Sequence, residues 1–598
     1  MITKNLSACF RLLLYIGSAC ALLSCSRDSQ DETNQDASLV VRVSGLEDYV
    51  AVTTSVELRQ GSSSKQAPAM NTASGSLFNT TEMQQIDNKE HEMHFSNDFD
   101  VDFEIVKAHP ASTAPKETMA GENGTKMSAK RSLMARQPLG STVRYRLLVY
   151  RENETNPVVN VEATGSTFPA VGIATGFNYR WVAVSTNETT SAPNVTNNIV
   201  SASDIANKDF LYASGTFFSE YGQNYLNIVF KRYTSQIQLT VDSRGMFGNI
   251  APNSNISFAI SSGETLSETA DFNVQDSSFS NFQPVALSSN NMTNTDPALR
   301  TGTIYTVRPR PVAAGSLQLR FNPLLLTLDD GSTRTFADNS LTFGSAFSPV
   351  RGSSYSISAR LIESGIRIGT SPLRWARSNL TYDASAAAGF RYRFRPHPVN
   401  YIFNPNVDLW NFGASTPTIP FDAIDPCRRV YPNGTWKLPS DQDLAGSISS
   451  AGRPNSLEAY TLPSTGAPGI IANWNRSTDQ PASSAYPEMD NLRLPFYGYR
   501  DTTGNLLQQP AINGTQLSGL ATYFTAQFYD RTETDPNTNT SVTTRHPTLL
   551  ELSYNGESFA GSTTNTANYT QRLVYGQLET TSVLNQGRNI RCVRVVNP

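Results

Sequence analysis

Apolar and polar residues alternate through much of the first 365 positions, the period-2 pattern of half-buried strands. In the clearest run Phe95, Phe99, Val101, Phe103 and Ile105 hold the odd positions, and Asp98, Asp100, Asp102 and Glu104 the even ones. This predicts a strand with one face in a core and an acidic face in water. Ser38 to Leu46 alternates in the same way around Gly45, and Val143–Tyr150 and Tyr179–Ser185 predict two more strands. Lys107 to Gly140 has no period and is rich in Pro, Gly, Ser and Lys, a loop length that is usually functional or disordered. From Ile366 aromatics, Arg, Pro and Gly become frequent and the alternation fades.

The amino terminus carries a different pattern. Lys4 and Arg11 precede a short apolar run, Leu12 to Leu23, followed by Ser24-Cys25. The run is far below the roughly 20 residues that span a bilayer, so it reads as an export signal, residues 1–24. Leu22-Leu23-Ser24-Cys25 resembles a bacterial lipobox, which implies acylation of Cys25 and attachment to the outer membrane. Residues 25–37 hold almost no apolar side chain and read as an acidic linker between lipid and fold.

Composition narrows the class. Of 598 residues 38% are hydrophobic and only 16% charged, and the net charge is −4. No basic stripe exists to neutralise phosphates, which argues against a nucleic-acid partner. With 33 Pro and 37 Gly, many short strands and turns are expected. Cys9 and Cys20 leave with the signal, so Cys427 and Cys592 are the two thiols exposed to an oxidising compartment. They read as a disulfide, or as two buried free thiols.

Candidate chemistry is sparse. Asp98, Asp100 and Asp102 are spaced along a strand face, whereas a cation cage needs converging oxygens. His91-Glu92-Met93-His94 departs from the zincin pattern. His109, His397 and His546 are scattered, and neither a nucleophile elbow nor a phosphate-binding loop occurs. No metal, cofactor or enzymatic activity is expected.

Several runs carry a resemblance. Arg136-Gln137-Pro138-Leu139, then YRLLVY, FNYRWVAVSTNE and Asn207-Lys208-Asp209-Phe210-Leu211-Tyr212-Ala213, resemble the first domain of Bacteroidales fimbrillins. Leu226 to Leu239 and Gly352 to Ser358 are similar to strands that open and close that family's second domain. The resemblance implies two transthyretin-like β-sandwiches, here residues 38–205 and 206–365. It also implies assembly with other fimbrial subunits by β-strand addition after an Arg-specific protease removes an N-terminal strand. Arg59, Arg131 and Arg136 are the candidate cleavage positions, Arg59 the best placed by its loop composition; Arg42 lies within a predicted strand.

The last third, residues 366–598, has its own ordered blocks. Arg374-Trp375-Ala376-Arg377-Ser378-Asn379-Leu380, Asp425-Pro426-Cys427 with Trp436-Lys437-Leu438-Pro439-Ser440, Gly498-Tyr499-Arg500-Asp501 and Arg591-Cys592-Val593-Arg594 resemble Bacteroidetes surface modules with a C-type-lectin-like fold. Lys437 departs from the usual Arg. Trp375 and Trp436 sit in the structural blocks and read as core. Trp410 and Trp474 lie in polar stretches and read as candidate ligand contacts. Trp474-Asn475-Arg476 and Gln480-Pro481-Ala482 put a cation and a methyl where calcium-dependent lectins carry carboxylates.

The expectation is a mostly β, lipid-delivered minor subunit, at the tip of surface fimbriae. It would mediate adhesion to host cells, matrix or other bacteria, and biofilm formation, through a lectin-like α+β module. The alternative is a stand-alone surface glycan-binding lipoprotein of a nutrient-uptake system.

Overall fold

The computed structural model describes residues 37–47, 89–95, 98–107, 136–287, 292–449, 451–463, 465–486, 488–534, 539–575 and 583–595. The chain is mostly β. Its first described strand, β1 (Ala37–Glu47), does not neighbour the next two in space. β1 runs parallel to Gly222–Arg232 in an eight-stranded sheet that continues through Leu211–Phe218, Asn178–Ser185, Arg144–Arg151 and Val159–Thr164. Arg136–Gln137 and Val171–Ile173 pair with the other side of β1.

Both faces of this sheet are covered, which is why Leu147-Leu148-Val149-Tyr150 and Trp181-Val182-Ala183-Val184 are nearly continuous apolar runs. One face packs Leu39, Tyr145, Leu147, Trp181, Ile228 and Phe230 into a single cluster. On the other face Leu148, Val182, Val184, Phe210 and Tyr212 meet Phe272 and Val274. Phe272 belongs to a small sheet built from Val195–Thr196, Ile199–Val200, Glu268–Asn273 and Ser278–Pro284.

The second sandwich has a six-stranded sheet of Thr293–Asp296, Leu299–Thr306, Ser235–Gly245, Ser354–Glu363, β3 (Phe99–Lys107) and β2 (Lys89–Phe95). Two three-stranded sheets close its core. Phe99, Val101, Phe103 and Ile105 enter that core as their alternation predicts. The Phe103 ring stacks on Phe343 with centroids 3.7 Å apart, and Phe99 meets Phe321 and Phe336 edge-on at 5.3 Å.

The structure corrects two expectations. The division at residues 205/206 cuts through the first sheet, because Leu211–Phe218 and Gly222–Arg232 complete it, while β2 and β3 belong to the second. Period-2 patterning gives a strand's faces but not its partners, and here the chain visits the second sheet between two strands of the first.

The acidic face of β3 is also not solvated: Asp100, Asp102 and Glu104 are all buried. Asp102 and Glu104 pair with Arg360 on the neighbouring strand, the Asp102 contact at 3.0 Å. Asp100 pairs with Arg594, from the far end of the chain. Alternation reports a polar face without distinguishing water from arginine as its partner.

Residues 366–595 form the third part. Its short sheets include Ile366–Arg367, Leu373–Trp375 and Val593–Val595 in one, and the long hairpin Gln516–Thr534 with Ser541–Glu557 in another. It packs firmly on the second sandwich. Ala485, Tyr486 and Met489 join the sandwich core, and Phe247 of the sandwich joins the cluster around Trp410 and Trp436. The Arg334 and Arg377 guanidinium groups each lie 4.1 Å from the Tyr486 ring centre. Tyr431 donates to Asp242, and Ser483 to Asp98 at 2.6 Å.

Asp100→Ala leaves the Arg594 cation buried without its main carboxylate, and should cost about 3–5 kcal/mol. The double change Asp100→Leu with Arg594→Met should recover most of that loss. Urea unfolding of both variants checks this; equal losses would show that the pair does not hold the junction.

Candidate functional site: the C-terminal module

The sequence blocks of the module converge on one framework. Leu373–Trp375 is flanked by Ile366–Arg367 on one side and Val593–Val595 on the other, so the first block pairs with the last. Lys437 bridges Val593 through its backbone, and Asn379 donates to Asn589 at 3.2 Å. The Arg591 guanidinium donates to the carbonyl of Ala376 at 3.0 Å. Arg500, from the Gly-Tyr-Arg-Asp block, donates to the Pro405 and Pro417 carbonyls and to the Asn411 side chain. These arginines each saturate several carbonyls at once, which a loop-rich fold with few long ladders needs.

Cys427 and Cys592 are joined as a disulfide with Cα atoms 5.6 Å apart, across a sequence separation of 165. In the chain-entropy model closure of so long a loop is worth on the order of 4–5 kcal/mol. The bond anchors the strand Val593–Val595, which carries Arg594, to the middle of the module. Cys427 lies in the short helical turn Pro426–Arg429, capped by Asp425. One Asp425 oxygen accepts from the Cys427 N–H at 2.9 Å and the other from the Leu438 N–H at 3.0 Å. Burial raises this carboxyl from 3.8 to about 6, against the opposing pull of those N–H groups and Arg428.

Trp410 and Trp474, read as ligand contacts, are not at the surface: their exposures are 0% and 1%. The Trp410 ring stacks near Tyr392 and its Nε1 donates to the Leu380 carbonyl at 3.3 Å. Trp474 Nε1 donates to the Gly452 carbonyl at 3.2 Å, with Tyr569 against the ring. Their polar neighbours Asn411, Asn473 and Asn475 hold the surrounding backbone and side chains together, which made core positions look like loops. Trp375 and Trp436 are buried as expected.

Cys25, Arg59 and Arg131 lie outside the described residues. Arg136 sits in the two-residue strand opposite Glu47 of β1. Among the described residues the large apolar side chains exposed on the module are Ile402, Leu507, Ile512 and Tyr529, which no motif marked. Exposure depends on tertiary packing and has no sequence signal of its own. Among the described residues no group of three His, Cys, Asp or Glu could hold a metal ion, and no helix is long and apolar enough to cross a membrane.

Two outcomes follow from this geometry. Trp410→Ala and Trp474→Ala should each lower stability by about 3–5 kcal/mol, the cost of emptying a large aromatic site. Thermal unfolding checks this; a loss of ligand binding at unchanged stability would restore the surface role.

The raised Asp425 carboxyl holds its proton in the folded chain up to about pH 6, while the unfolded carboxyl loses it near 3.8. The folded state therefore binds the extra proton between these values, and stability falls as pH rises through them. The thermal midpoint should drop from pH 4 to 7 relative to that of Asp425→Asn. A constant difference would contradict the assignment.

A family model described as fimbrillin-like matches residues 174–372. No curated protein matches the chain. Among solved structures, a candidate cell adhesion protein from Bacteroides fragilis is 14% identical, with 40% of this chain and 87% of that one covered and a TM-score of 0.26. A fimbrial assembly protein from Parabacteroides distasonis is 10% identical, covering 36% and 82%, TM-score 0.20. The fimbrial anchor protein from Porphyromonas gingivalis is 10% identical, covering 31% and 70%, TM-score 0.17. The family match begins before Asn178–Ser185 and runs beyond Ser354–Glu363, so it takes in the later strands of the first sheet and the second sandwich from Ser235 onward. Over these residues the chain is similar to that family.

Proposed function

We infer that this chain is a minor subunit at the tip of surface fimbriae, delivered as a lipoprotein and carrying a lectin-like adhesive module at its outer end. The observation that carries the reading is the order of parts: a fimbrillin-like region followed by a module locked onto it. The strand Val593–Val595 is held on one side by Leu373–Trp375 and tethered by Cys592. A strand fixed in this way is unsuited to donation into another subunit, and the position that needs no donation there is a terminal one.

β1 supplies the acceptor end. It contributes Ala37, Leu39 and Leu46 to the first core and covers the edge of Gly222–Arg232, with Leu226, Ile228 and Phe230. Its removal would open a parallel-pairing edge above an apolar floor, suited to an incoming strand from a neighbouring subunit. Of the candidate cuts, Arg59 lies between β1 and β2 and would release β1 alone, together with the lipid on Cys25. A cut at Arg131 or Arg136 would also sever β3, which fills the second core and pairs with Arg594. Arg59 is therefore the position compatible with an intact second sandwich. The reading assigns the chain no catalytic role, and adhesion to host cells, matrix or other bacteria.

Immunogold labelling should mark fimbrial ends, and the chain recovered from fimbriae should begin at Gln60 by mass spectrometry. Labelling along the whole shaft would sink the tip assignment, and a start beyond Arg131 would sink the cleavage assignment. Co-purification with an outer-membrane transporter in place of fimbrial subunits would favour the glycan-uptake alternative.

A further inference from the structure

The small sheet that covers the first sandwich is shorter than the sheet beneath it. Leu148, Val182, Val184 and Tyr212 lie under it, in contact with Phe272 and Val274. Beyond the buried Tyr150, the cover on this face ends and Glu152, Asn178, Thr216 and Phe218 are exposed. Alternation places Tyr150, Arg180 and Thr216 in one cross-strand row, and Asn178 with Phe218 in the next, beside Glu152. A groove of about 620 Å³ results, floored by these six residues and walled by Gln275. Its volume falls within the roughly 300–1,000 Å³ of small-molecule sites.

The polar groups are held in place before any ligand arrives. Arg180 donates to the Gln275 carbonyl at 3.1 Å, and its guanidinium lies 4.8 Å from the Tyr150 ring centre. Tyr150 donates to Asn198 at 2.8 Å. Asn178 donates to one Glu152 oxygen at 2.9 Å, and a carboxylate has further acceptor capacity. Phe218 is a large apolar ring left 56% exposed on a rigid strand.

Charge narrows the ligand. The lining holds two arginines, Arg151 and Arg180, and two glutamates, Glu152 and Glu154, with Arg151 3.8 Å from Glu154. The cations are thus already offset, which disfavours phosphate, sulfate or carboxylate ligands, and no excess of acid invites a polycation. A ring with one apolar face and a rim of hydroxyls matches an exposed aromatic bordered by planar carboxylate, amide and guanidinium groups.

We propose that this groove binds a neutral oligosaccharide, Phe218 stacking on the apolar face of one sugar ring while Glu152, Asn178 and Thr216 pair with its hydroxyls. The site lies in the first sandwich, so it stands independently of the adhesive role assigned to the C-terminal module. The test is saturation-transfer NMR on the full chain with maltotriose, cellotriose, mannotriose and N-acetyllactosamine, with 3′-sialyllactose and a neutral tetrapeptide alongside. At least one neutral sugar should receive transfer, and its Kd should rise tenfold or more in Phe218→Ala and severalfold in Glu152→Gln. Tyr225→Ala, which removes a still more exposed aromatic outside the groove, should leave it unchanged. Transfer to none of the neutral sugars, preference for sialyllactose or the peptide, or an unaltered Kd in Phe218→Ala would each overturn the proposal.

Discussion

Burying Asp100 and Arg594 against each other is the constraint around which the molecule is arranged. Removing two such charges from water costs several kcal/mol per ion, and their attraction repays this only when the remaining donors and acceptors are also satisfied. Arg594 meets part of that demand by donating to the Glu363 carbonyl at 3.0 Å and by lying 4.5 Å from the Trp436 ring centre. Burial pulls its pKa down, as it does for Arg377 and Arg591. So expensive an arrangement adds little net stability. It fixes which surfaces meet, because any slippage of the module on the sandwich would strand a charge in a dry junction.

That pair gives β3 two jobs. Its odd positions fill the second core while Asp100 reaches the module, so one nine-residue strand is shared by two parts of the chain. The apolar contacts follow the same logic: Tyr486 and Met489 reach from the module into the sandwich, and Phe247 reaches back. The two parts therefore behave mechanically as one body, with little room for the hinge motion expected where domains meet over small polar interfaces. A rigid junction fits the proposed role, in which load would pass through it to the module.

Strand existence was legible in the sequence wherever one strict alternation held, as at Phe99 to Ile105. Strand partnership was not. The parallel partner of β1, Gly222–Arg232, lies more than 180 residues away, and the acidic row of β3 meets arginines at positions 360 and 594 that nothing local announces. The tryptophans failed for a related reason. Polar flanking residues suggest solvent, but Asn411 and Asn473 direct their amides to neighbouring protein groups. Only the Cys427–Cys592 reading drew on a constraint outside local pattern, the redox compartment, and it named the residues that the structure joins.

The blocks that give the module its resemblance turn out to be framework. Trp375, Arg377, Asp425, Arg500 and Arg591 are buried, and the four charged side chains among them pair with backbone groups, leaving little to present to a receptor. In the adhesive role proposed above, recognition would fall to side chains outside those blocks, at positions such as Ile402, Ile512 and Tyr529, which are exposed and lie apart from the disulfide and the arginine-to-carbonyl network. A fold whose signature is all scaffold leaves the rest of its surface free to change.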